Sequence, residues 1–140
     1  MRIYLLLPLA LLFSCRTVKN SNASAQNAPQ LLKDVRELSS DRYQGRKSGT
    51  KGAELAKEYI KKRFKEIGLL PFPSLPQYEQ EFRFQDSKGK NITGKNVLAY
   101  IPGKTDAAIV ISGHYDHLGV INNEIFNGAD DNASGIAGLL

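Results

Sequence analysis

Ala107-Ala108-Ile109-Val110-Ile111-Ser112 is an unbroken apolar run rich in β-branched residues. Such a run reads as a strand buried on both faces, which calls for a parallel or mixed sheet covered by helices. In open α/β sheets the ligand sites lie at the carboxyl ends of the strands. The residues after the run are therefore where chemistry is expected. Gly113 lets the backbone turn, and His114-Tyr115-Asp116-His117-Leu118-Gly119 follows, holding both of the chain's histidines. The densest acidic cluster comes next, in Asn127-Gly128-Ala129-Asp130-Asp131-Asn132-Ala133-Ser134-Gly135. An imidazole and carboxylates on loops above a rigid sheet suit a borderline metal such as zinc.

Taken singly, each half of this constellation has an ordinary explanation. His-x-Asp triplets arise by chance, and Gly-Ala-Asp-Asp-Asn-Ala-Ser-Gly also reads as a polar turn leading into a helix cap. Together, in order and after a buried strand, the two segments resemble the M28 family of zinc peptidases. Further correspondence comes from Leu38-Ser39-Ser40-Asp41, Gly45-Arg46, Gly49-Thr50, Gly52, Ala56, Tyr59-Ile60 and Gly68-Leu69, so the resemblance covers residues 31–140. It implies that His114 is a ligand of a first zinc and that Asp131 bridges two zinc ions. Asp116 takes the catalytic-site role of orienting the His114 ring, which fixes its tautomer and raises its basicity. Asp130 falls where the family varies and is left out of the ligand set, and His117 is expected to line the site. The family also has a cis peptide bond after the bridging aspartate, expected here between Asp131 and Asn132.

The implied fold class is α/β, a mixed β-sheet flanked by helices as in zinc exopeptidases. The implied reaction releases amino-terminal residues from peptide substrates. The family's Glu-Glu pair, further acidic ligand and second histidine are not found among these residues. The chain is therefore expected to be the amino-terminal portion of an M28-type peptidase, inactive by itself. A single-zinc acyltransferase of the glutaminyl cyclase type is an alternative on the same fold. There Ser or Gly usually follows the aspartate, whereas Asn132 stands here. A non-catalytic envelope-binding module is a third reading, and the retention of His114, Asp116 and Asp131 argues against it.

At the other end, residues 1–14 read as a lipoprotein signal peptide. Arg2 supplies the positive start, and residues 3–13 form an apolar stretch too short to span a bilayer. Leu12-Phe13-Ser14-Cys15 resembles a lipobox, so cleavage before Cys15 and lipidation of it are expected, with a membrane as partner. This places the protein in a bacterial cell envelope, lipid-anchored at the outer membrane or facing the periplasm. Cys15 is the only cysteine, which excludes an intramolecular disulfide. Residues 15–29 read as a flexible tether and residues 30–140 as the peptidase portion. The net charge of +5 is spread over the helices without interleaved aromatics, so a nucleic-acid partner is not expected.

Within residues 30–140, a helix is expected over 29–39, with Leu31, Leu32, Val35 and Leu38 on one stripe. A second helix runs from Thr50 to 67, burying Ala53, Ala56, Ile60, Phe64 and Ile67, with Gly68 as its left-handed cap. Lys57, Lys61, Lys62 and Lys65 make its solvated basic face. Tyr78, Gln80, Phe82 and Phe84 alternate with charged residues and predict a half-buried strand. The Asp86-Ser87-Lys88-Gly89-Lys90 turn and a strand over 92–101 complete an antiparallel hairpin.

Overall fold

The computed structural model describes residues 22–140. The expected signal peptide, the Cys15 lipidation site and the tether up to residue 21 lie outside them. Helix α1 spans Asn22–Leu38 and so takes in part of the stretch expected as tether, with Pro29 inside it. Proline is favoured in the first turn of a helix, which is why the sequence reading starts at that residue. Three of the seven helical residues before it are alanine, the best helix former. Leu38 is buried, but Leu31 and Leu32 are exposed. The inward position is taken instead by Asp34, which accepts hydrogen bonds from Tyr59 Oη at 2.5 Å and Gln30 Nε2 at 2.9 Å. Arg63 Nε lies 3.1 Å from the same carboxylate.

A 3₁₀ turn over Asp41–Arg46 leads into α2, Lys51–Glu66. Ala53, Ala56, Ile60 and Phe64 are buried as their spacing predicts. Gly68 adopts φ +78°, and Leu69 N donates to Phe64 O at 2.9 Å, which closes the helix end. Ile67 faces outward, and the lysine face is not uniformly solvated. Lys57 and Lys61 are buried, with Nζ atoms 3.2 and 2.5 Å from Glu79 Oε1. A carboxylate at the start of the next strand draws these two ammonium groups inward, a contact that helical periodicity alone does not reveal.

The expected hairpin forms from β1, Glu79–Gln85, and β2, Asn91–Val97, paired antiparallel with Phe82 opposite Gly94. Asp86 closes its turn, its Oδ1 accepting from the backbone N–H groups of Lys88 and Lys90, each at 2.9 Å. A second hairpin, not anticipated, joins β3, Gly119–Ile121, to β4, Glu124–Phe126. Asn122 and Asn123 both have positive φ at its tip, the backbone that tight two-residue hairpins demand and asparagine tolerates. Ala129–Ala133 then forms a wide helical turn that continues into α3, Ser134–Leu139. The core gathers Leu38, Tyr43, Ala56, Ile60, Phe64 and Tyr78 with Ala133 and Ile136.

One central expectation is overturned. Residues 107–112 form no strand, and Ile109, Val110 and Ile111 are 94%, 86% and 76% exposed. The architecture mixes helices and strands, in keeping with α/β, but the described residues hold two separate two-stranded antiparallel sheets and no mixed sheet. A strand persists through its ladder of hydrogen bonds to a neighbour. Each hairpin here pairs only with itself, and the run joins the free edge of neither. Among the described residues no helix is long and apolar enough to cross a membrane.

Candidate metal centre

The β3–β4 hairpin sends the chain out and back, returning the acidic loop beside the histidine loop. His114 Nε2 lies 3.0 Å from Asp131 Oδ1, and His117 Nδ1 lies 3.4 Å from Asp131 Oδ2. His114 Nδ1 faces Asp116, 3.1 Å from its backbone oxygen and 3.5 Å from Oδ1. Asp116 is held in turn by Ser48, whose Oγ donates to Oδ2 at 2.6 Å. All three residues singled out from the sequence, His114, Asp116 and Asp131, thus meet in one place. Asp130 takes no part in these contacts. The Asp131–Asn132 peptide bond is cis, as the resemblance implies.

This donor set fits a metal in type. In the tautomer with its proton on Nδ1, His114 donates to Asp116 and aims the lone pair of Nε2 at a carboxylate oxygen. Two acceptors so close repel unless a cation or a proton lies between them, and imidazole nitrogen with carboxylate oxygen is a usual zinc pair. The side chains of His114 and Asp131 are 54% and 67% exposed, so an ion can reach them from solvent. Asp131 turns one oxygen to each imidazole. The contacts are therefore pairwise, and no group of three or more His, Cys, Asp or Glu side chains forms a metal cage among the described residues.

Two loops far apart in sequence need something to hold them together, and that role falls to a residue to which the sequence reading gave no function. Arg46 is 1% exposed. Its Nε donates to Tyr115 O at 2.8 Å, Nη1 to Asn127 O at 2.6 Å and to Leu38 O, and Nη2 to Gly128 O at 2.8 Å. Its own carbonyl accepts from His117 N at 3.2 Å. Burial pulls the guanidinium below its ordinary pKa, while the charges of Asp116 and Asp131 favour the cation. The backbone packs as tightly as the side chain. A Cβ on Gly45 would lie 2.6 Å from Gly119 O and 2.8 Å from Gly119 Cα, and one on Gly128 would lie 2.7 Å from the His117 ring. Gly45-Arg46 stood out as a motif, but no periodicity connects it to residues 115 and 127.

Residues 96–140, which contain both loops, match the family model described as Peptidase family M28. Over these residues the chain is similar to peptidase family M28. It is also 28% identical over 111 residues to the alkaline phosphatase isozyme conversion protein of Escherichia coli (strain K12), an alignment covering 70% of this chain. The chain spans about a third of that relative's length, 32%. No solved structure matches it. M28 proteins are peptidases and typically depend on zinc, in line with the donors that His114 and Asp131 present.

Proposed function

We propose that this chain contributes His114, Asp116 and Asp131 to the active site of a zinc-dependent aminopeptidase that binds two ions. The observation that supports it most is the facing pair of His114 Nε2 and Asp131 Oδ1 at 3.0 Å, with the other imidazole nitrogen engaged by Asp116. When bound, zinc would polarise the scissile carbonyl and lower the pKa of an attacking water. The protein's own work is positional. Ser48 anchors Asp116, Asp116 holds the His114 ring with Nε2 outward, and Asp131 turns Oδ1 toward His114 and Oδ2 toward His117, so it would have an oxygen to offer each of two ions. The substrate would be a peptide with a free amino terminus. The name of the Escherichia coli relative, which refers to conversion of alkaline phosphatase isozymes, suits action on a protein chain. The remaining ligands and the general base would come from sequence outside these 140 residues. The same proposal has the enzyme lipid-anchored through Cys15 in a bacterial envelope.

The test is to express the full reading frame with His114→Ala and with Asp131→Ala, then measure zinc per chain and hydrolysis of an aminoacyl chromogenic amide. Two zinc ions and activity in the parent, with activity lost in both variants, are expected. One zinc ion with cyclisation of amino-terminal glutamine would favour the acyltransferase instead. No bound zinc would refute both enzymes and leave a binding module.

A further inference from the structure

We infer that Arg46 is a positioning residue of the metal centre, setting the separation of the His114 and Asp131 loops through bonds to their backbones. The inference rests on the zinc reading above. Its starting point is a mismatch between the burial of this side chain and its apparent task. A guanidinium carries five N–H donors in a planar fork and is costly to bury without partners. Arg46 is almost wholly buried and finds four acceptors, all backbone carbonyls, on three separate segments. Leu38 O belongs to the end of α1. Tyr115 O lies one residue from His114. Asn127 O and Gly128 O open the loop that ends in Asp131. A residue serving stability alone needs no such choice of partners.

The fork is rigid, and that rigidity matters here. Nε is committed to the histidine loop and Nη2 to the acidic loop, so one planar group links the backbones of the two loops that carry His114 and Asp131. Arg46 touches neither donor and so acts through the loops that carry them. Its backbone oxygen, accepting from His117 N, adds a second tie to the histidine loop. The cation also lies close enough to Asp116 and Asp131 for their charges to act on it. A lysine would keep the charge but could not bond both loops in one fixed plane.

The experiment uses the full-length protein with zinc alone as the ligand, comparing parent and Arg46→Lys. Zinc affinity by competition with a chromophoric chelator is read beside thermal unfolding of the metal-free forms. Arg46→Lys is expected to fold and to bind zinc about 10–100-fold more weakly, the range typical of residues that hold metal ligands in place. Unchanged affinity in a folded Arg46→Lys protein overturns the inference, even if its unfolding temperature falls. If the parent itself binds no zinc, the zinc reading fails first, which separates the two. Should Arg46→Lys fail to fold, the parent decides by NMR. Its Arg46 Nε–H and Nη–H protons are expected to give separate, slowly exchanging signals that move on zinc addition. Averaged, fast-exchanging signals insensitive to zinc would refute the role.

Discussion

The two loops of the candidate centre and the apolar run just before them differ in a way that reverses simple expectation. Residues 107–112 are among the most apolar in the chain and yet stand in solvent, while the highly polar Arg46 is buried. Hydrophobicity states what a segment gains from being covered, about 25 cal/mol per Å² of apolar surface, but does not supply the cover. Arg46 has its cover because four carbonyls converge on it, whereas the run has no neighbouring strand among the described residues. Burial therefore follows available partners, and side-chain character only sets what those partners must offer.

The comparison can be broken from either side, most severely at Arg46. Arg46→Ala should leave buried carbonyls without donors and cost about 3 kcal/mol or more, read as a lowered urea midpoint. A loss below 1 kcal/mol would show that water replaces the side chain at no cost and that the contrast between the regions is overstated.

A smaller effect is expected at Glu79, the carboxylate that draws Lys57 and Lys61 inward. Burial pushes its carboxyl up, but hydrogen bonds from Lys61, Lys95 and Lys57 outweigh this and hold its pKa at about 2. A carboxyl lowered in the folded state stabilises fully above its ordinary value and loses that contribution as the pH falls through its folded value. Stability carried by Glu79 should thus decline as the pH drops from 4.5 towards about 2. Glu79→Gln should cost about 2 kcal/mol at neutral pH and flatten this acid limb, measured by urea unfolding at stepped pH. An acid limb of unchanged steepness in the variant would assign it to other groups.

The least effect on stability is expected at Ile109. Ile109→Lys should change it by no more than about 0.5 kcal/mol, since an exposed side chain gives up little, while reducing self-association seen by light scattering. A loss of 2 kcal/mol in the full-length protein would mean that the run is covered there, restoring the doubly buried strand that its composition suggests.

What the sequence determined by itself was local. The 3.6-residue spacing of Ala53, Ala56, Ile60 and Phe64 placed α2, and Gly68 ended it, because helix faces and caps depend on near neighbours. Alternation around Phe82 and the Asp86 turn placed the first hairpin for the same reason. The chemical types of His114, Asp116 and Asp131, in order, were enough to single out three side chains that the fold brings together. Tertiary structure decided the matters that depend on distant partners. It made Asp34 rather than Leu31 the inward residue of α1, because on α2 Tyr59 donates a hydrogen bond to its carboxylate and Arg63 sets a positive charge beside it. It turned Lys57 and Lys61 inward toward Glu79, and it left residues 107–112 uncovered for want of a ladder. It also gave Arg46 its position, with bonds reaching 69, 81 and 82 residues along the chain. Periodicity within a helix or strand carries no record of such separations. They become visible only once the chain has folded back on itself.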